Sequence, residues 1–124
     1  MENNQPGQIL WHDLTVPDAT AVSAFYHKVL GWDIVPLSMG DYNDYCMNDA
    51  GGNTQAGICH ARGGNAYLPP QWIMYVSVAN LDKSLEECIS SGGKIIGEKR
   101  KMGNDGKLYC LVQDPAGAYV MLCG

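Results

Sequence analysis

The sequence predicts an α+β domain made of two tandem βαβββ units whose mixed sheets curl around a shared cavity. Two observations carry this. The order of strand, helix and turn signals between Ile9 and Ala61 is repeated between Trp72 and Cys123, and the two halves match in detail at corresponding places. Repetition of a whole supersecondary unit constrains the architecture more than any single element does. Each unit alone would leave one sheet face bare, and two such faces turned toward one another enclose a space for a ligand. We read residues 1–124 as one domain with units at about 9–61 and 72–123.

In the first unit, Ile9 to Val16 reads as a strand stopped by Pro17, with Asp18 placed to cap a helix. Val22, Phe25, Tyr26, Val29 and Leu30 follow at helical spacing as one apolar stripe, and Gly31 ends the helix. Asp33–Leu37, Tyr42–Asn48 and Gln55–Ala61 are strands, with the turn cluster Asn48–Asn53 between the last two. A Gly- and Pro-rich connector, Arg62–Gln71, leads to the second unit. There Trp72–Val78 is a strand and Asn80 a helix cap. Leu81, Leu85, Cys88 and Ile89 share a helical face that closes at Gly92-Gly93. Strands at Lys94–Glu98, Lys107–Gln113 and Ala118–Cys123 follow, separated by turns at Gly103–Gly106 and Asp114–Gly117. Trp11 answers Trp72, Leu30-Gly31 answers Gly92-Gly93, and the Tyr45–Asp49 segment answers Tyr109–Asp114.

Composition narrows the partners. Apolar residues make up 46% and charged residues 17%, which is globular, and the net charge of −5 argues against nucleic acid or an anionic membrane. The one basic run, Lys99–Lys101, reads as a solvated strand end or turn. No apolar stretch approaches the roughly 20 residues that cross a bilayer. The polar start Met1–Gly7 has neither the basic head nor the apolar centre of a signal peptide, so a cytoplasmic location is expected. Five cysteines form no CxxC pair, and most sit in apolar runs, as reduced buried thiols do.

Asp18 … Phe25-Tyr26-His27-Lys28-Val29-Leu30-Gly31-Trp32 resembles the DxxxxxxFYxxVLGW signature of the vicinal oxygen chelate superfamily. Asp114-Pro115-Ala116-Gly117-Ala118 resembles that superfamily's DPxGxxxEL terminal-strand motif. The superfamily includes glyoxalase I, the extradiol dioxygenases and the bleomycin and fosfomycin resistance proteins, and the resemblance runs from about Ile9 to Leu122. It implies the glyoxalase/bleomycin resistance fold. The opening Trp-His-Asp-Leu is closer to glyoxalase-like proteins of unassigned function. Members of one fold differ in chemistry, so activity must be argued from the site.

The resemblance also implies four places where metal-dependent members hold a divalent ion with His, Gln or Glu, from the first and last strand of each unit. Aligned on the two motifs, three of them fall on Trp11, Ile73 and Met121, none of which ligates such an ion. The fourth falls among Gly57–His60, where the length of the preceding loop leaves the residue open. Strand alternation then offers Trp11, Asp13 and Thr15 to the cavity from the first unit, with His60 as a candidate at its last strand. The second unit offers Ile73, Tyr75, Ser77, Tyr119, Met121 and Cys123. A one-residue bulge in the first strand would instead turn His12 inward, and His12 with His60 is the alternative metal pair.

The expected function is therefore binding of a small organic ligand by Trp11, Asp13, Thr15, His60, Ile73, Tyr75 and Met121, without a metal cofactor. The alternative is a divalent-metal-dependent lyase, isomerase or dioxygenase. By resemblance the chain is expected to form a homodimer.

Overall fold

A computed structural model describes residues 4–101, 103, 104 and 106–124. Met1–Asn3 of the polar start, and Met102 and Asp105 at the turn expected around Gly103–Gly106, lie outside the described residues. The elements are β1 (Ile9–Val16), α1 (Ala19–Leu30), β2 (Asp33–Ser38), β3 (Asn43–Asn48), β4 (Thr54–His60), β5 (Ile73–Ser77), α2 (Leu81–Ser90), β6 (Lys94–Lys101), β7 (Leu108–Gln113) and β8 (Tyr119–Cys123). The βαβββ order thus occurs twice, as expected from the sequence.

The chain divides into two compact units. The first is His12–Trp72; the second is Ile73–Gly124 together with the segment that ends at Trp11. That segment belongs with the later residues because Gly7 N–H donates to Ser77 O at 2.7 Å and Ser77 N–H donates to Gln8 O at 2.9 Å. The start of β1 therefore counts with β5, and the remainder of β1 with the first unit.

In the first unit the strand order is β2-β3-β4-β1, antiparallel except for the parallel β4/β1 pair. Leu14, Val16, Met47 and Ile58 form its core with Ala19 of α1, and Val22, Tyr26, Trp32, Ile34, Tyr45 and Trp72 pack around them. Asp18 caps α1 by accepting from Ala21 N–H at 3.0 Å, which satisfies one of the amides a helix start leaves without a partner. Gly31 closes the helix at φ 78°, a left-handed conformation that favours glycine, and donates its N–H to His27 O at 3.0 Å.

One feature of the apolar stripe differs from expectation. Ala19 and Ser23 are the buried residues of α1, whereas Phe25 and Val29 are 55% and 60% exposed and Leu30 is exposed as well. The helix rests on its 19/22/23/26 face, and Ser23 is accommodated there because its hydroxyl donates to Thr20 O at 3.0 Å. Phe25 and Val29 fall on the flank of that face.

The second unit has the order β5-β8-β7-β6, with β5/β8 parallel and the rest antiparallel. Leu81 and Leu85 of α2 pack with Cys110 and Val112, surrounded by Val78, Cys88, Ile95, Leu108, Val120 and Leu122. Asn80 caps α2 through Lys83 N–H at 3.0 Å. Ile89, expected on the buried face, is exposed at the helix end. Gly93 is demanded by close approach: a Cβ there would lie 2.6 Å from Cys88 Sγ and 2.9 Å from Gln113 O. β6 runs three residues beyond the expected Glu98, to Lys101. Its pairing with β7 shifts register between Ile96 and Arg100, around Gly97 at φ 76°, and this bulge lets the basic run continue along the sheet edge.

Candidate functional site

Strand alternation divides each sheet into a face against its helix and a face turned away from it. In the first unit Leu14 and Val16 lie in the core under α1, so Asp13 and Thr15 point to the opposite side. Asp13–Val16 run in unbroken parallel register with Gly57–His60, which pairs Asp13 with Gly57 and Thr15 with Cys59. Tyr45 packs in the core, so its neighbours Asp44 and Cys46 also face away, and β2 places Val35 beside Cys46 and Leu37 beside Asp44. The face away from α1 therefore carries two carboxylates and two thiols on β1, β3 and β4. Its outer strand is apolar and exposed at Val35 and Leu37.

Three of these polar groups are linked. Cys59 Sγ donates toward both Asp13 carboxylate oxygens, at 3.7 and 3.6 Å. Asp44 is 5% exposed, and its Oδ1 accepts from His60 N–H at 2.9 Å. Burial, reinforced by the negative charges of Asp13 and Asp44, raises the Cys59 pKa far above the ordinary thiol range. As a donor to the Asp13 carboxylate the thiol is held in its protonated form. Asp44 and Cys59 were not singled out from the sequence. The register of β4 depends on the loop before it, and the pairing of β3 with β4 is irregular between Met47 and Asn48. The available signal was alternation: Asp44 precedes a core tyrosine, and Cys59 follows a core isoleucine.

His60 does not join Asp13 and Thr15. It pairs with Val16 and shares that residue's helix-side face. Its Nδ1 lies 3.4 Å from both Ala19 N and Pro17 O, accepting from the amide in one tautomer and donating to the carbonyl in the other. Tyr42 and Tyr45 flank the ring at centroid distances of 5.6 and 6.3 Å. The His12 and His60 pair is likewise corrected. β1 carries no bulge over Asp13–Val16, and His60 pairs with Val16, four residues along the strand from His12, a backbone offset of about 13 Å at ~3.3 Å per residue. His60 Nδ1 is turned instead to Pro17 O and Ala19 N.

In the second unit Tyr75 pairs with Met121, Ser77 with Cys123, and Leu111 with Met121. Val112 and Leu122 lie in the α2 core, so Ile73, Tyr75, Ser77, Tyr119, Met121 and Cys123 face away from that helix. Ile73 is 3% exposed and Met121 0%. Burial pushes the Cys123 thiol up to about 11. Trp11 is half-buried at the end of the lead-in segment. Trp72 serves the first unit's core, where its Nε1–H donates to Tyr26 OH at 3.0 Å.

This donor set does not suit a divalent metal. Two of the aligned positions are buried hydrocarbon or thioether side chains, and the away-facing residues of β4 in the aligned stretch are Gly57 and Cys59, whose thiol is directed at the Asp13 carboxylate. Among the described residues, no group of three His, Cys, Asp or Glu side chains is arranged to hold an ion.

Comparison with known proteins agrees with this architecture. Residues 8–122 match the model of the Glyoxalase/Bleomycin resistance protein/Dioxygenase superfamily. The chain belongs to this superfamily. Among its relatives is CFP32 of Mycobacterium tuberculosis, named provisionally as a glyoxylase, at 30% identity over 115 residues. The match covers 90% of this chain and 43% of CFP32, so the chain spans less than half the length of that relative. The anthracycline biosynthesis protein DnrV of Streptomyces peucetius is 24% identical, over 91% of this chain and 45% of its own. Among solved structures, methylmalonyl-CoA epimerase from Mycobacterium tuberculosis superposes with a TM-score of 0.55 at 18% identity, covering 99% of this chain and 91% of that one. A superfamily member from Vibrio splendidus 12B01 gives 0.57 at 14% identity, covering 91% and 95%. At these identities the structures share the fold. No helix among the described residues is long and apolar enough to cross a membrane.

Proposed function

We propose that this superfamily member binds a small organic molecule without the divalent metal that its metal-dependent relatives use. The observation that carries the reading is the occupancy of the aligned metal positions: Trp11, Ile73 and Met121, the last two buried. The ligand contacts are assigned to the faces turned away from the helices. In the first unit, Asp13 and Thr15 on β1 supply hydrogen bonds, and the exposed apolar Val35 and Leu37 bound the same face at the far strand, β2. In the second, Trp11 and Tyr75 supply aromatic surface next to Ile73 and Met121. A few polar groups set in apolar and aromatic surroundings are the usual make-up of an organic-ligand site. The role we assign is sequestration of the ligand by stacking and a few hydrogen bonds.

The alternative activity, a metal-dependent lyase, isomerase or dioxygenase, requires an imidazole or carboxylate at positions that here hold apolar side chains. Elemental analysis of protein purified without chelator separates the two. Metal well below one equivalent per chain is expected, and stoichiometric nickel, zinc, iron or manganese overturns the proposal. We also assign the protein to the reducing cytoplasm, in keeping with its five free cysteines. A homodimer is the assembly we propose, and light scattering on the purified chain tests it.

A further inference from the structure

The helix side of the first unit holds a second feature of ligand-site type. A depression of ≈ 310 Å³ is lined by His12, Trp32, Gln55, Ala56 and Trp72. Its walls are two indoles at right angles, with centroids 5.9 Å apart and planes at 83°. Both are held from behind. Trp72 gives its Nε1–H to Tyr26 OH at 3.0 Å, and its ring meets the Tyr26 ring edge-on at 5.3 Å. Trp32 follows the Gly31 helix stop, and its carbonyl is clasped by His27 Nδ1 at 2.6 Å. The floor is Ala56, 2% exposed and small enough to leave the corner unfilled. At the mouth stand the exposed His12 and Gln55, the latter anchored through Nε2 to Asp49 Oδ2 at 2.9 Å. None of these groups takes part in the ligand contacts proposed above.

We propose that this corner is a separate binding site for a flat, electron-poor, cationic heteroaromatic ring of one or two fused cycles. The volume is at the small end of organic-ligand pockets, which limits the ligand to that size. Indole faces are electron-rich and attract a cationic π-system, and two perpendicular indoles offer one face to stack on and one to abut the ring edge. The nearest charge has the matching sign: Asp49 stands behind Gln55, accepting from its Nε2 at 2.9 Å, with its carboxyl held below the ordinary range by hydrogen bonds from the Asn53 amide and its neighbours. The Gln55 carbonyl and the His12 ring supply polar partners for a ring substituent.

The test uses 1-methylnicotinamide, titrated into the full chain labelled with nitrogen-15. The three tryptophans give three indole N–H signals. Those of Trp32 and Trp72 should move along a saturable curve while that of Trp11 stays. Ala56→Leu fills the floor and should weaken binding on the order of tenfold, about what one aromatic contact is worth. His12→Ala changes an exposed residue without endangering the fold and should weaken binding about threefold, as for one lost hydrogen bond. Glu86→Ala, an exposed residue of α2, should leave the affinity unchanged, and the elemental analysis that tests the reading above is read independently of this titration. Linear shifts of all three indoles without saturation, or full affinity in both Ala56→Leu and His12→Ala, overturns the proposal.

Discussion

The two βαβββ units share their helix-side chemistry and diverge on the other side of the sheet. Under α1, Leu14, Val16, Met47 and Ile58 form an aliphatic core, and under α2 Leu81, Leu85, Cys110 and Val112 form its counterpart. On the faces away from the helices the units part. The first shows Asp13, Thr15, Asp44 and Cys59; the second shows Ile73, Leu111, Met121 and Cys123 at the equivalent depth. A duplicated unit must keep the face that folds it, since helix and sheet have no other way to bury their apolar sides. The second face is released from that demand, and here one copy carries carboxylates while the other carries mainly apolar and aromatic side chains with Ser77.

The largest effect should come from giving the apolar face the polarity of its counterpart. Met121→Glu places a carboxylate where the side chain is 0% exposed. With no designed partner, the cost should be about 3 kcal/mol or more in urea unfolding. If Met121→Glu instead unfolds like the parent and gains a stoichiometric metal, the second unit's face is a vacated metal site and the contrast between the units is shallower than described. The converse change attacks the first unit. Asp44→Ala removes the acceptor of the His60 amide at 2.9 Å, a buried hydrogen bond to a charged group, and should cost about 2 kcal/mol. A loss below about 0.5 kcal/mol would mean that the amide finds water, and that the polar face is wetter than the 5% exposure of Asp44 implies.

The helix caps provide the matched pair in which the units should behave alike. Asp18 accepts from Ala21 N–H and Asn80 from Lys83 N–H, both at 3.0 Å. Alanine at either position should cost about 1 kcal/mol. Equal losses by chemical denaturation support a conserved helix side; a threefold disparity would show that the units differ there too.

The architecture was legible because its determinants are local. Asp18 and Asn80 as caps, Gly31 and Gly93 as stops, and the doubled order of elements are written in short stretches of chain. The face of Asp13 was legible for the same reason, since alternation along one strand with Leu14 and Val16 settles it. The face of His60 was not. It depends on the register between β1 and β4, which is set by a loop of turn residues and by the irregular β3/β4 pairing near Met47. Phe25 and Val29 show the other limit. Helical spacing identifies an apolar arc, but which part of it meets the sheet depends on how the helix rolls, and here the roll buried Ala19 and Ser23 instead.

The smallest effect tests a turn that both units contain. Asp49 opens the turn after β3, its Oδ1 accepting from Gly51 and Asn53 amides at 2.9 Å each. Asp114 opens the turn after β7, its Oδ1 accepting from Ala116 and Ala118 at 2.8 and 3.0 Å. In Asp49 the Asn53 amide dominates, and with help from the Gln55 and Asn53 side chains and the Gly51 amide it lowers the carboxyl below its ordinary 3.8. A carboxyl lowered on folding stabilises the folded chain at pH values above its unfolded pKa, and that contribution is lost as the pH falls through the lower folded value. Wild type should therefore exceed Asp49→Asn in urea midpoint at neutral pH, and the two curves should converge at a pH below 3.8. A gap that stays constant down the acid limb would assign the difference to turn geometry rather than to charge. The same titration of Asp114→Asn then shows whether the two turns, alike in their backbone hydrogen bonds, also share their electrostatics.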